Sequence, residues 1–192
     1  TPFCLEGLEN VLDEKSQNYY DIFKSCKICG YNVEGKHRSY EEEFKRMATA
    51  IKDGKNIKLT TFYGTYNVGK ISKICDEINC DIVAYDYATI QKYTHVKDYE
   101  LKALASIEKP FIRLKTNIKF KMDIEELQNE LIRFKLPDDF ILYFLLKELN
   151  QFGIDMIFMT KESIETQEEF VFAKPINEKE PIEVVVSQKH IA

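Results

Sequence analysis

The stretch Asp81–Val96, with Ala105–Lys115 after it, does most to limit what this chain can fold into. Asp81-Ile-Val-Ala-Tyr85 is a short apolar run of strand length that ends against an acid, Asp86. Two short helical patterns follow, over about 87–93 and 97–105, and Pro110–Lys115 reads as a second strand. Strands separated by helices imply an α/β architecture, in which helices pack on a sheet.

The rest of the chain extends that pattern. Ser39 is placed to cap a helix over Tyr40–Lys52, where Phe44, Met47, Ala48 and Ile51 recur at helical spacing and Asp53-Gly54 ends the run. Asn56–Phe62 alternates as a strand, Tyr63-Gly64 is a bend, and Thr65–Val68 is a second short strand. Lys70–Ile78 has a short helical face made of Ile71, Ile74, Cys75 and Ile78. Ile118–Lys121 reads as an extension of the strand before it, after a turn. Asp123 with Glu126 resembles a capping box, which predicts a helix to about Phe134. Asp138–Phe152 predicts a strong helix stopped by Gly153. Ile154–Met159, Phe170–Ala173 and Ile182–Val186 are further strand candidates. The fold expected is a twisted mixed sheet with packed helices. Strands 56–62, 81–85, 110–115 and 154–159 should share that sheet, with Val83, Ile112, Leu114, Leu142 and Ile157 buried.

The 192 residues suit one ordinary domain with a small appendage, and 44% hydrophobic content supplies a sizeable core. Thirteen Phe and eleven Tyr give that core an aromatic character. The division expected is 1–38, a polar Cys-containing appendage, and 39–192, the α/β domain. The longest apolar run, Phe140–Leu146, is far short of a membrane span. The start Thr1-Pro2-Phe3-Cys4 lacks a basic and then apolar region, so no signal peptide is expected and the cytoplasm is the expected compartment. The absence of an initiator Met points to a trimmed N-terminus or to residues before Thr1. A net charge of −5 argues against bulk attraction to nucleic acid, although local basic patches remain open to it.

Several side chains carry candidate chemistry. Cys26-x-x-Cys29 is half of a zinc knuckle; Cys4 is a third ligand candidate and His37 a fourth. Zinc can replace a core that so short a segment cannot build. The alternative is that these thiols are free or packed. Lys109, Arg113, Lys115, Lys119 and Lys121 form the most basic stretch. On a strand, Arg113 and Lys115 share one face, which suits either anion binding or the solvated side of an edge strand. Cys75 and Cys80 read as packing or as a redox pair. Glu41-Glu-Glu43 lies in the first turn of its helix, where the macrodipole favours acids.

Taken in order, these segments resemble the YrdC-like domain, in particular the zinc-finger plus YrdC-like region of HypF-type hydrogenase-maturation carbamoyltransferases. The ordered matches are Cys4 with Cys26-Lys-Ile-Cys29, Ile51–Gly64, Asp81–Val96, Ala105–Lys115, Phe134-Lys-Leu-Pro137 with the apolar helix after it, and Phe152–Thr160. The resemblance covers roughly 4–165. It implies a cleft lined by Thr60, Thr61, Gly64, Arg113, Thr160, Lys161 and Ser163, taking a nucleotide such as ATP, an RNA end or a related anion. It also implies zinc on Cys4, Cys26 and Cys29; the family's fourth ligand falls at Thr1, which has no thiolate, so His37 or a residue before Thr1 would take its place.

The departures from the family pattern shape the functional expectation. Active members end the first strand with Lys; here it ends Thr60-Thr61, and only Gly64 survives of the Gly-rich bend. The family's basic cluster is reduced to Lys70 and Lys73, followed by Asp76 and Glu77. The Thr-Ser-x-Asn motif has become Thr160-Lys-Glu-Ser163, and Glu162 would repel a phosphate. These changes imply a partly degenerate cleft that binds an anion with weak or absent ATP handling. Two other readings stay open: an active ATP-dependent carbamoyl- or threonylcarbamoyl-adenylate-forming enzyme, and a non-catalytic protein-interaction module of a maturation or modification pathway.

Overall fold

The computed structural model describes residues 5–28, 30–78, 80–106, 108–125, 127, 129–172 and 174. The element order is α1 (Leu5–Leu12), α2 (Glu41–Lys52), β1 (Ile57–Thr61), β2 (Gly64–Gly69), α3 (Ile74–Glu77), β3 (Asp81–Ala84), α4 (Tyr87–Tyr93), α5 (Asp98–Leu104), β4 (Ile112–Lys115), α6 (Ile118–Asp123), β5 (Leu131–Lys135), α7 (Phe140–Asn150), β6 (Met156–Thr160) and β7 (Glu168–Val171). The strands form one seven-stranded sheet in the order β4-β5-β3-β6-β2-β1-β7. It is mixed: β3 runs parallel to β5 and β1 to β7, and the other pairs are antiparallel. The four strands expected to share a sheet do so, and Val83, Ile112, Leu114, Leu142 and Ile157 are all buried. The strand candidate Ile182–Val186 lies outside the described residues.

Alternation along the strands divides the apolar side chains between two layers. Val83, Ile157, Met159, Ile57, Leu59 and Val68 face α2 and α7. Ile82, Ala84, Ile112, Leu114, Ile132, Phe134, Met156 and Phe158 pack in the second core, with Ile90, Leu104 and Phe120 of α4, α5 and α6. Helix α7 is buried almost all round, including Glu148, because it lies inside the molecule. The sheet lies on one side, while α2 and the segment before it cover the others. Tyr20 stacks on Phe144 at 4.4 Å, and Tyr31 meets Phe140 edge-on at 5.4 Å. Val11, Tyr20, Ile22 and Phe23 thus join the same core as α2 and α7. Glu148 is compensated by the Tyr20 hydroxyl, which in turn accepts from Lys147 Nζ at 2.6 Å. Burying each Phe or Leu of α7 contributes on the order of 2 kcal/mol, so this helix anchors the fold.

Three local expectations are corrected. Ile118–Asp123 is a helix, because Asn117 caps it through Oδ1, accepting from the Phe120 N–H at 3.1 Å. Its period-two look was misleading: Phe120 is buried while Ile118 is 73% exposed. Leu131–Lys135 is a strand, not the end of a helix begun at Asp123. Ile132 and Phe134 point into the second core, and β5 pairs with both β4 and β3. Asp123 closes α6 where the sequence suggested a helix start. Ser39 does not cap α2 in the usual way; its Oγ accepts weakly from the Glu41 N–H at 3.4 Å, and the helix begins after Tyr40.

Candidate anion-binding cleft

Register carries charge onto one half of the sheet. Because Ile112, Leu114, Ile132 and Phe134 face the α4–α6 layer, Arg113, Arg133 and Lys135 project to the α7 side. Arg113 lies opposite Arg133, and Arg133 Nε is 2.5 Å from Asp81 Oδ1 on β3. Arg113 and Lys115, on the edge strand, are exposed. Phe111, just before β4, stands near this row, with Lys135 Nζ 5.0 Å and the Arg133 guanidinium 5.8 Å from its ring centre.

The row ends in a buried polar cluster at the N-terminus of α7. Lys135 Nζ is 2.6 Å from Asp138 Oδ2, both side chains being almost wholly buried. Asp139 caps α7: its Oδ1 accepts from the Leu142 N–H at 2.8 Å. Its Oδ2 is buried and makes no hydrogen bond among the described residues. Burial, and next the charge of Asp138, raises the Asp139 carboxyl to about 7. Across from it, Tyr63 in the β1–β2 turn is pushed up to about 12, first by burial and then by the charges of Asp139 and Asp138. Tyr85 and Tyr143 lie with ring centres 6.0 Å apart at the end of β3 and on α7, and burial raises the Tyr143 phenol.

Lys109 completes the cluster. It is buried, and desolvation lowers its pKa while Asp138 opposes that change. Its φ of 45° is left-handed backbone, immediately before Pro110. A non-glycine residue held there costs of order 1–3 kcal/mol, a strain that characteristically marks functional sites. Its N–H and Nζ return to the preceding turn, to Ser106 O at 3.1 Å and Ala105 O at 3.3 Å.

The residues anticipated for the cleft divide into groups. Thr61 Oγ1 accepts from the Tyr63 N–H at 3.1 Å, and Thr160 Oγ1 accepts from the Glu162 N–H at 3.1 Å. These hydroxyls build the turns that end β1 and β6, as Ser and Thr commonly do. Thr60 Oγ1 pairs with Thr65 Oγ1 at 3.0 Å. Gly64 has φ 144°, and a Cβ there would meet the Tyr66 hydroxyl at 3.2 Å, so the turn requires glycine. Lys161 and Ser163 are exposed beyond β6, with Lys161 Nζ 5.8 Å over the Tyr66 ring. Thr60, Thr61, Gly64 and Thr160 thus gather on the adjacent strands β1, β2 and β6, with Lys161 just beyond β6. Arg113 stands four strands from β2, about 19 Å at the usual strand spacing. It keeps company with Arg133, Asp81 and Lys135 instead. Lys135, Asp138 and Asp139 were not anticipated, and Lys109 only as part of a basic run. The available signals were the strand alternation of Leu131–Lys135 and an acid pair just after Leu-Pro.

Of the metal candidates, Cys4 and Cys29 lie outside the described residues. Cys26 is half-buried, and its N–H donates to Tyr31 O at 2.8 Å. His37 Nδ1 is 2.8 Å from Asp21 Oδ2, an arrangement that leaves Nε2 available and is common for metal-bound histidines. Among the described residues no three metal-ligating side chains come together. No helix among them is long and apolar enough to cross a membrane.

The open, mixed sheet with helices on both faces is a YrdC-like fold, as the solved structures it superposes on show. Full-length HypF in its phosphate- and nucleotide-bound form superposes with a TM-score of 0.71 at 18% identity, over 91% of this chain and 36% of HypF. HypF from T. kodakarensis gives 0.60 at 16%, over 82% of this chain and 29% of its own, and YciO from E. coli gives 0.50 at 17%, over 64% and 65%. The chain therefore spans about a third of the HypF chains that it matches. No protein-family profile and no curated protein sequence matches it.

Proposed function

We propose that this chain binds a small anion of low charge, a nucleotide or a related phosphate, in the cleft between the α7 N-terminus and the Arg113–Arg133 half-face, without the ATP turnover of HypF-type enzymes. The observation that carries this reading is the pairing of the cleft's cations with acids. Arg133 meets Asp81 at 2.5 Å, Lys135 meets Asp138 at 2.6 Å, and Asp139 is buried beside them. A triphosphate would compete with these carboxylates, whereas one phosphate asks less of them. Tyr85 and Tyr143, both half-buried, offer aromatic surface to a base. The fold's occurrence in a HypF solved with phosphate and nucleotide supports the ligand class. Low net cleft charge also argues against tight RNA binding, which depends on unpaired Lys and Arg.

A second reading, residual adenylate-forming catalysis, draws on Lys109, whose strained backbone and desolvated amine are features of active sites. A pyrophosphate-release assay with ATP and carbamoyl phosphate, or with ATP, threonine and bicarbonate, separates the two. The binding reading predicts no release above background. Robust release that disappears in Arg113→Ala would replace it with the enzyme reading.

A further inference from the structure

A hollow lies at the C-terminal end of α7, away from the cleft at that helix's N-terminus, and is lined by Phe152–Met156 together with Tyr93 of α4 and Met122 and Asp123 of α6. It has a volume of about 690 Å³, within the range of small-molecule sites. Its floor is apolar: Ile71 and Met156 are buried there in the core beneath α4–α6. Two large apolar side chains stand at its mouth in solvent, Met122 at 66% exposure and Phe152 at 45%. Lys52 Nζ sits 4.6 Å over the Phe152 ring, and Gly153, with φ 74°, makes the turn that presents that ring.

The charged groups of this hollow fall into two sets. Most are matched internally. Lys92 Nζ is 3.4 Å from Asp155, and Asp123 accepts from the Tyr93 hydroxyl at 3.1 Å and pairs with Lys119 at 2.8 Å. Lys70, after β2, and Glu125, after α6, also line the hollow, and neither makes a hydrogen bond or ion pair among the described residues. They do not pair with each other. Among the described residues, one hollow therefore holds an exposed cation and an exposed anion without ion-pair partners, with an aromatic ring and a thioether exposed at its mouth.

We propose that this hollow is a second ligand site, for a small zwitterion with an apolar side chain, which is the chemistry of a free apolar α-amino acid. The ligand carboxylate meets Lys70 and its ammonium meets Glu125. Its side chain lies between Met122 and Phe152, covering surface that is otherwise left in water. The site shares no residue with the anion cleft, which lies at the other end of α7. Lys70 and Glu125 are both exposed, so each can turn its charge to a ligand at the mouth; a zwitterion engages both at once, where a simple anion or cation engages only one.

The test is isothermal titration of the full chain with L-phenylalanine, L-methionine and L-leucine. N-acetyl-L-phenylalanine, which lacks the ammonium, and L-phenylalaninamide, which lacks the carboxylate, serve as probes of each pole. The expected result is binding of at least one free amino acid with a dissociation constant of about 1 mM or tighter. Each capped analogue should bind about tenfold or more weakly, as should the free amino acid to Lys70→Glu and to Glu125→Lys. Both substitutions are at exposed positions, and circular dichroism checks that they fold. No binding of any of the three amino acids would overturn the proposal. So would capped analogues that bind as well as the free forms, or charge reversals without effect, since these describe an apolar hollow with no pole recognition.

Discussion

Replacing Asp139 by Asn isolates the most unusual titrating group in the cleft. Asn keeps the cap, since its side-chain oxygen can still accept from the Leu142 N–H, but it cannot ionise. The wild-type carboxyl sits at about 7 in the folded chain, against an ordinary value of 3.8, because burial and Asp138 disfavour its charge. The folded state therefore binds more protons than the unfolded state between those two values. Its contribution to stability is fully present below the unfolded pKa and is lost as pH rises through the folded pKa. A displacement of about three pH units corresponds to a ceiling of ~4 kcal/mol; coupling to Asp138 and Lys135 makes about 2–4 kcal/mol the expected range. Urea unfolding at pH 4, 5, 6, 7 and 8 should show the two proteins converging at pH 4, with Asp139→Asn gaining on wild type up to pH 8. Parallel pH profiles, or a wild type that gains on the variant as pH rises, would refute the burial argument.

Other predictions concern different parts of the chain. Lys109→Gly should raise stability by about 1 kcal/mol in urea unfolding, because glycine accepts φ 45° without strain. The same variant should lose anion affinity in titrations with inorganic phosphate. Tyr20→Phe leaves the buried Glu148 carboxylate without its hydroxyl partner and should cost about 1–3 kcal/mol, read as a lower thermal midpoint. If Cys4, Cys26, Cys29 and His37 hold zinc, elemental analysis should find about one metal ion per chain and Cys26→Ser should lose it. Metal-free protein with unchanged stability in Cys26→Ser would remove zinc from the account.

Much of the fold was legible because its segments carry one clear period. Helix α2 shows Phe44, Met47, Ala48 and Ile51 at helical spacing, and β3 and β6 are short apolar runs with burial on both faces. Strand β5 was missed because the acids at 123 and 126 imitate a helix start, while the deciding fact, a partner strand on each side, is not local. Helix α6 was missed for a related reason: alternation in Ile118–Lys121 looks like a strand until the Asn117 cap is seen. The residues named for the site from the sequence fall only partly together: Thr60, Thr61, Gly64 and Thr160 lie on the neighbouring strands β1, β2 and β6, whereas Arg113 stands four strands from β2. The Thr61 and Thr160 hydroxyls, named from the resemblance, also accept the backbone bonds that shape the turns after β1 and β6. The charged cluster of Lys109, Lys135, Asp138 and Asp139 depends on burial and on a left-handed backbone, neither of which a residue pattern reports.

The central claim, a cleft whose cations are already matched by acids and which therefore favours ligands of low charge, is tested most directly by calorimetric titration of AMP and ATP side by side. Wild type should bind AMP at least as tightly as ATP, and Asp138→Asn, which frees Lys135 from its carboxylate partner, should shift the preference toward ATP. Tighter binding of ATP than AMP by wild type, with no change in preference in Asp138→Asn, would contradict the account.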